Sequence, residues 1–534
     1  MSQAQTSLTI AAPGFLGLNT EASESDLPDG YAQVADNCVI DKRGRIAARK
    51  GFNEYTDSIG LLYQQPSTVE SFLGEDGSEV IFVGAEDRIY TANIGLTGTS
   101  AYTLKYNVNN MLPNWQMLTL NDKMFFIQQG EDPLIFDHTG GGAGAVTVNT
   151  TTMPRAKCGV SAFGRLWLAN TDTDNHQVVY YSSRLDGTDF DTNPPAGSSR
   201  DSGSFNVSHY WPTGFDTIEA LTVHNGSLII FGKNNIIIYN QAEGNPAAAI
   251  AAGGISLGDT VGGIGCIARD SVVSTGLDIL FLDRTGVRSL GRVIQEKSMP
   301  VGEASANVRT PLRDSLAGYT EAELEAIRGQ YVPEEAMYLL ISAIREVVLV
   351  FSTSVTDEKG AMRVTRWTSS GVGREITGAT MTQGGRLLLC NLLNAVVAYE
   401  GYGDIRSDGS LATYQLSYYT NYLTFGDPSK AKMVKDVTAT INTRSANNVS
   451  LAMSFDYNQS DAVYRVDLPV FDNPAEYTVA EFGIGEMGPA SETVRKKINV
   501  GGSGSSVRLG ITTLVNKAFS IQELTINTLL GRKL

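Results

Sequence analysis

The stretch NGSLIIFGKNNIIIYN at residues 225–240 contains two short apolar runs, and each run follows a turn signal. The runs are rich in Ile, Phe and Tyr, and they are bounded by Gly and Asn. Asn-Gly next to apolar runs of this length is a strong short-range signal for a β-hairpin. The stretch therefore predicts two antiparallel strands joined by a tight turn.

The same pattern recurs through the middle of the chain. Its copies lie at residues 76–92, 121–137, 164–182, 225–240, 276–291, 334–351 and 384–400. They start roughly 40–60 residues apart, which is the period expected when each four-stranded blade of a β-propeller is one repeat. We therefore predict a mainly β protein with a β-propeller of about seven blades, or of six if one hairpin belongs elsewhere. A pair of β-sandwiches is the alternative.

The two ends of the chain differ from this repeat. Residues 1–65 show no clear copy, and we predict an N-terminal arm that joins a platform. Residues 66–405 form the predicted propeller. Residues 406–534 alternate apolar and polar, as in MVKDVTATINT (433–443), which predicts a C-terminal antiparallel β-sandwich or platform.

Three segments inside the repeat have a different composition. Residues 191–214 and 242–265 are rich in Gly, Pro, Ala and Ser, and we predict loops there. Residues 320–329 predict a helix, in which Thr320 and Glu323 form a capping box and Gly329 ends the helix.

Composition limits the classes of function. The 534 residues carry a net charge of −16, which argues against a tight, non-specific nucleic-acid binder but allows a channel through which DNA slides. The four cysteines lie more than a hundred residues apart, so neither a zinc site nor a disulfide framework is predicted. The start of the chain lacks the features of a signal peptide, and no apolar run reaches the roughly 20 residues of a membrane span. We expect synthesis in a reducing cytoplasm and no membrane insertion.

Two glycine-rich motifs resemble enzyme signatures without their context. Gly254–Gly258 matches G-x-S-x-G, but no helix is predicted after it and all four histidines precede Ser256. Gly263–Ala268 imitates a dinucleotide fingerprint, but the residues that follow predict a strand rather than a helix. We assign neither a catalytic residue nor a cofactor to them.

The stretch NTDTDNHQVVYYSSRLDGTDF at 170–190 offers polar groups for a metal or a catalytic cluster. Asp172, Asp174, Asn175 and His176 fit a calcium loop incompletely, because His176 and Gln177 occupy positions that need a ligand and a glycine. Ser183, Asp186, Asp189 and Phe190 resemble the structural Asp-box turn of sialidase-like propellers. We predict turns here, no metal and no catalytic residue.

The densest basic run is DKRGRIAARK at residues 41–50. Its cations are Lys42, Arg43, Arg45, Arg49 and Lys50. One interpretation is a solvated hairpin that turns at Arg43-Gly44. The other is a contact with an acidic partner or with DNA phosphates.

The chain also resembles a known family of viral proteins. The opening GFLGLNTEASESDLPDGYAQVADNCVIDKRGRIAARKGF resembles that of phage tail proteins, in which ADNC…G.I..R.GF precedes a propeller. Further segments fit the same pattern: the element from VVYYS to Phe190, the runs at 218–240 and 278–291, GYTEAELEAIRG (318–329) and LTFGDPSKAKMVKDVTATI. The resemblance is to tail hub or nozzle proteins of short-tailed bacteriophages, of the type that stabilises packaged DNA.

This resemblance implies a structural, non-enzymatic role in the virion tail. It implies a homo-oligomer, a hexameric ring below the portal and its adaptor ring, which contacts tail fibres or spikes. Double-stranded DNA would be retained and then conducted through the ring without sequence-specific binding. The alternative hypothesis is a propeller-type tail protein that binds or degrades host glycans, for which a pair of positioned carboxylates would be needed.

Overall fold

The structure is a computed structural model that is 59% strand and 7% helix. It describes residues 5–23, 26–54, 65–92, 102–107, 114–138, 144–149, 152–171, 175–192, 201–241, 255–296, 303–342, 347–356, 360–368, 375–391, 395–406, 410–443, 448–458, 461–467 and 492–533.

The strands follow the chain in four groups. The N-terminal strands are β1 Gln5–Ala11, β2 Gly17–Leu18, β3 Tyr31–Asp36, β4 Cys38–Ile40, β5 Ile46–Ala48 and β6 Phe52–Glu54. The next sixteen are β7 Pro66–Leu73, β8 Glu79–Ala85, β9 Arg88–Ala92, β10 Tyr102–Asn107, β11 Gln116–Leu120, β12 Lys123–Ile127, β13 Leu134–Asp137, β14 Val146–Val148, β15 Ala156–Ala162, β16 Arg165–Thr171, β17 Val178–Tyr181, β18 Gly203–Asn206, β19 Ile218–His224, β20 Ser227–Gly232, β21 Asn235–Gln241 and β22 Ile255–Gly262. Then come β23 Val273–Ser274, β24 Ile279–Asp283, β25 Gly286–Ser289, β26 Arg328–Val332, β27 Met337–Ser342, β28 Val347–Thr356, β29 Met362–Thr368, β30 Ile376–Met381, β31 Leu387–Asn391 and β32 Ala395–Tyr399. The last group is β33 Asp404–Ile405, β34 Leu411–Ala412, β35 Tyr414–Thr420, β36 Lys430–Thr443, β37 Asn448–Phe455, β38 Ala462–Asp467, β39 Glu492–Asn499, β40 Ser503–Gly504, β41 Val507–Val515 and β42 Phe519–Lys533.

Six sets of four antiparallel strands form the blades of a β-propeller, as the repeat predicted. Blades 1 to 4 are β7–β10, β11–β14, β15–β18 and β19–β22; blade 5 is β26–β29, and blade 6 is β30–β32 with β6. Each predicted copy of the repeat is the middle hairpin of a blade, except the copy at 276–291, which lies in the three-stranded sheet β23–β25 between blades 4 and 5. The blade number is therefore the alternative of six, with one hairpin elsewhere.

The stretch 225–240 shows why the strands of a blade are apolar at consecutive positions instead of alternating between apolar and polar residues. Asn225 and Gly226 have φ of +48° and +73°, as a tight I′-type hairpin turn requires. In β20, Leu228 and Ile230 pack toward blade 3, whereas the alternate residues Ile229 and Phe231 pack toward β24. Because both faces of the blade are buried, both sets of alternating residues are apolar.

The N-terminal segment closes the ring. Strand β6 pairs antiparallel with β32 and so supplies the outer strand of blade 6. Val69 and Val83 of blade 1 pack against Leu388 and Cys390 of blade 6 in one apolar cluster. A strand that precedes blade 1 in the chain is thus part of blade 6, and blades 1 and 6 bury apolar surface against each other.

Both ends of the chain also build a β-sandwich. Blade 5 continues into a ten-stranded sheet through β2, β3, β35, β41, β37 and β38. The opposing sheet contains β39, β36, β42, β5 and β4, and it also includes β1 and β40. Side chains of the two sheets, such as Tyr418, Leu451, Val437 and Ile526, share one core. Propeller and sandwich therefore share a continuous sheet.

The helices are short, and the predictions for the atypical segments were partly wrong. Among the described residues, the α-helices are α1 Leu290–Glu296, α2 Arg309–Ala317 and α3 Glu321–Glu325, and the 3-10 helices are Ser208–Tyr210, Arg269–Ser271 and Ala306–Val308. Thr320 and Glu323 form the predicted capping box, but the helix ends at Glu325. Gly329 lies in β26, where a Cβ would lie 2.8 Å from the carbonyl oxygen of Ser271, so close packing rather than a helix end favours glycine.

Parts of the two predicted loops are strands. In the segment 242–265, residues 255–262 form β22, which pairs along β21, and in 191–214 residues 203–206 form β18. Glycine content misled the prediction, because an outer strand that is buried on few positions tolerates glycine when its partner supplies the backbone hydrogen bonds. Residues 242–254 and 193–200 lie outside the described residues. The strand predicted after Ala268 is largely a 3-10 turn, Arg269–Ser271, followed by the two residues of β23.

Candidate functional site

A charged network occupies the centre of the propeller. Asp270 forms ion pairs with Arg269 at 2.8 Å and with Arg328 at 2.7 Å. The Arg269 guanidinium also donates to the backbone oxygen of Lys157, and the Arg328 guanidinium donates to the hydroxyl of Thr68. These groups come from the inner strands of blades 1, 3 and 5 and from the turn after Ala268. They meet because the inner strands of all blades face the same axis.

The network continues toward one mouth of the axis. Lys157 pairs with Glu219 of blade 4 at 2.7 Å and with Glu325 at 2.6 Å. A cavity of about 330 Å³ lies beside this pair, lined also by Lys233 and Arg284. The neighbouring carboxylates raise the pKa of Lys157 against the opposing effect of burial. The axis of this propeller is thus filled by paired charges rather than open.

Glu70, on the inner strand of blade 1, is a carboxyl group with a strongly raised pKa. Burial raises the pKa of its carboxyl from 4.5 to about 7, although a hydrogen bond from Thr380 and the charge of Arg328 oppose this shift. In the unfolded chain Glu70 ionises near its ordinary pKa, whereas in the folded chain it keeps its proton up to about pH 7. The free energy of unfolding therefore falls as the pH rises through this interval and changes no further above it.

We expect Glu70→Gln to stabilise the protein at pH 8 by about 1–3 kcal/mol, because the partly buried site disfavours a carboxylate and the amide carries no charge. At pH 4 the variant and the parent chain should unfold at nearly the same denaturant concentration. The matched control is Glu75→Gln, since Glu75 is exposed in the turn that follows β7. Equal shifts for both variants between pH 4 and pH 8 would contradict the assignment.

The predicted basic run does form a hairpin, β4–β5, but its cations serve different purposes. Arg49 is fully buried and binds both oxygens of Asp404, at 2.8 and 2.6 Å. Its guanidinium lies 4.0 Å from the ring centre of Phe52 and 3.9 Å from that of Tyr414. Asp404 raises the pKa of Arg49 despite burial. Arg49 therefore joins the N-terminal segment to β33 and β35 and is not available to a partner.

Two more cations of the run are paired within the chain. Arg45 forms an ion pair with Asp41 at 2.7 Å, and Lys50 forms one with Glu335 at 3.0 Å. The Asp41 carboxylate also accepts from the backbone N–H groups of Arg43 and Arg45, which fixes the turn. Lys42 and Arg43 are exposed, and neither makes an ion pair within the described residues.

Lys42 and Arg43 stand at the edge of a cleft of about 680 Å³. The cleft is bounded by the hairpin β4–β5, by blade 5 and by the adjoining ends of β36 and β42. Arg363 of blade 5, which sequence reasoning missed, also lines it. No local signal marks Arg363, because the cleft forms only when the hairpin β4–β5, about 320 residues earlier in the chain, lies beside blade 5. The volume is in the range of small-ligand sites.

The described part of the stretch 170–190 contains strand β17 and a hydrogen-bonded turn at Ser183–Phe190. The Ser183 hydroxyl donates to Asp189 at 2.7 Å, and Asp186 accepts from the backbone N–H of Thr188 at 3.0 Å. Phe190 is buried in the cluster between blades 2 and 3. His176 contacts the side-chain oxygen of Asn170 at 2.8 Å. Asp172 and Asp174, the other candidates for a metal, lie outside the described residues.

The remaining motifs lack the geometry of an active site. Ser256 lies within strand β22, paired with Asn240, rather than on an exposed turn before a helix. Cys266 is buried, and burial raises the pKa of its thiol to about 12. Within the described ranges no three His, Cys, Asp or Glu side chains are grouped so that they could hold a metal ion. None of the described helices has the length and apolar character needed to cross a membrane.

Comparisons with known proteins show likeness in fold alone. No protein-family model and no curated protein sequence matches the chain. Among solved structures, a streptogramin B lyase has 11% identity over 66% of this chain and 97% of its own, with a TM-score of 0.37. The WD40 β-propeller domain of Doa1 has 7% identity over 65% of this chain and 96% of its own, with a TM-score of 0.36. The chain is thus similar to other β-propeller proteins in architecture.

Proposed function

We propose that the protein is a structural, non-enzymatic subunit of the tail nozzle of a short-tailed bacteriophage. In this role copies form a ring, a hexamer by the family resemblance, below the portal and adaptor. The ring retains packaged DNA in the virion and conducts it during ejection. Tail fibres or spikes are the expected further partners.

The observation that supports this proposal is the way in which both chain ends build one platform. Strand β1 pairs with β42 over seven residues, and β3 lies beside both β29 and β35. The sandwich is therefore continuous with blade 5, and the two parts cannot rotate freely against each other. A rigid platform that carries a propeller is the arrangement expected of a structural subunit, which catalyses no reaction and keeps a fixed orientation in a ring.

The charged side chains that fill the propeller axis argue against passage of DNA through one propeller and favour a DNA channel enclosed between subunits. Lys157, Arg269 and Arg328 are paired across the axis, and opening it to the width of a DNA duplex would require breaking every one of these buried contacts. A channel for DNA would instead be enclosed by several copies. The net charge of −16 agrees with a lumen that repels phosphates and does not retain the moving duplex.

Electron microscopy of the purified protein with portal and adaptor tests the proposal. We expect rings that stack on the adaptor, and no stacking when the adaptor is omitted. A chain that stays monomeric in the presence of the assembled adaptor would contradict the proposal. Release of reducing ends from host polysaccharide, lost on changing one Asp or Glu pair, would favour the glycan-degrading alternative instead.

A further inference from the structure

Arg363 is a buried cation without a carboxylate partner in the part of the chain that the structure describes. Arg363 is 8% exposed. Nη2 donates to the backbone oxygen of Pro13 at 3.0 Å, and Nε has no hydrogen-bond partner. Burial lowers the pKa of its guanidinium, and the charge interaction with Tyr31 opposes this shift. A buried charge is costly unless it is paired, so an anion bound in the cleft beside Arg363 would stabilise this group.

The basic hairpin meets Arg363 at Pro13. Gly44, in the turn of the hairpin, packs so closely that a Cβ would lie 2.5 Å from the Cα of Pro13. The turn therefore brings Lys42 and Arg43 to the cleft that Arg363 lines. Ordinary residues cannot take the place of Gly44, since its φ of +74° is also left-handed.

The charge balance of the cleft favours a multivalent anion. Three carboxylates line the cleft, but Arg45 pairs with Asp41, and Lys50 contacts both Glu334 and Glu335. Three cations of the cleft have no such partner among the described residues: Arg363, Lys42 and Arg43. Only one negative charge in the cleft is left unmatched, because Lys50 can balance one of its two glutamates. Positive charge is therefore in excess. A single carboxylate would neutralise only part of this charge, whereas a phosphate group carries about two charges at neutral pH.

We propose that this cleft is a binding site for a phosphate-type oxyanion, held by Arg363 at its base and by Lys42 and Arg43 at its edge. Arginine forks bind two oxygens of one phosphate, and the lysine ammonium adds a point charge. The hydroxyls of Thr365 and Ser520, which line the same cleft, stand as further donors. The phosphate belongs either to a small free compound or to a nucleic-acid backbone.

Titration calorimetry with inorganic pyrophosphate on the whole chain tests the site. We expect binding that weakens with added salt, and a loss of about tenfold or more in affinity in the double variant Lys42→Ser/Arg43→Ser, because two charge-assisted contacts are removed. The matched control is Arg465→Ser/Arg495→Ser, which removes the same charge from exposed positions on β38 and β39. Its affinity should equal that of the parent chain.

A second variant separates binding from folding. Arg363→Met keeps an unbranched side chain and removes the buried charge, so its unfolding temperature without pyrophosphate should stay equal or rise while its affinity falls about tenfold or more. Absence of binding to the parent chain would overturn the proposal, as would equal affinities in the cleft double variant and the control. Duplex DNA that competes with pyrophosphate assigns the phosphate to a nucleic-acid backbone, and duplex DNA that does not compete assigns it to a small compound. Because the assay uses the purified chain, it is independent of ring assembly.

Discussion

Asp270→Ala is expected to lower the free energy of unfolding by about 3–5 kcal/mol, because removal of one partner leaves buried charges uncompensated. Arg269 and Arg328 are 4% and 9% exposed, and both bind this carboxylate. Asp270→Asn keeps the shape of the side chain without its charge, and we expect it to show most of the same loss. Chemical denaturation followed by tryptophan fluorescence measures the effect.

The control for Asp270 lies on the helix Arg309–Ala317. Asp314 contacts Arg313 at 3.3 Å, but its side chain is 64% exposed. Exposed pairs of this kind contribute little, so Asp314→Ala should change the free energy of unfolding by no more than about 0.5 kcal/mol. Similar losses for Asp270→Ala and Asp314→Ala would show that the axis network does not stabilise the propeller.

The pH dependence of Asp270 follows from its pairing. The two arginines lower the pKa of the Asp270 carboxyl below its ordinary 3.8, although burial acts in the opposite direction. Its contribution to stability is therefore present above pH 3.8 and is lost as the pH falls through the lower folded-state pKa. Glu70 behaves in the opposite sense, because its raised pKa makes the folded state less stable as the pH rises toward about 7.

Arg49→Met is the second variant with a large expected effect, again about 3–5 kcal/mol. It leaves Asp404, which is 2% exposed, without its cation, and it removes the contacts to Phe52 and Tyr414. The propeller and the sandwich should both be destabilised, since Arg49 contacts strands of each. Limited proteolysis near residue 404, together with the denaturant midpoint, would detect this loss at the junction.

Two further variants make the Arg49 experiment decisive. Arg43→Met changes the same residue type on the same hairpin, but Arg43 is exposed, so the expected change is within about 0.5 kcal/mol. Arg49→Met/Asp404→Leu removes both charges together and should be more stable than Arg49→Met alone, because no unpaired buried charge is left. A double variant as unstable as the sum of its single variants would contradict a direct interaction.

Local features of the fold could be predicted from the sequence to a large extent. The hairpins at 225–240 and the other copies follow from apolar runs of strand length, most of which are bounded by Gly, Asn or Asp. The capping box at Thr320 and Glu323 depends on two residues three positions apart. Each of these features needs only neighbouring residues, so a short window of sequence contains all the information.

The candidate site could be predicted only in part, because its residues are distant in sequence and a short window does not contain them all. The basic run at 41–50 was visible, but nothing in it distinguishes Arg49, which is buried against Asp404, from Arg43, which is exposed at the cleft. The burial of a side chain depends on which distant strand packs over it. Arg363 and Pro13 are 350 positions apart and meet only in the folded chain.

The sequence by itself determined the class of this protein: mainly β, with repeated hairpins and a strongly acidic charge balance. The tertiary structure alone decided the number of blades, the strand β6 that closes the ring, the charged groups that fill the axis and the cations left unpaired at the cleft. Hairpins arise from interactions between residues close in the chain. Pairing and burial of charge arise from contacts between strands that are distant in sequence, and these contacts exist only once the chain has folded.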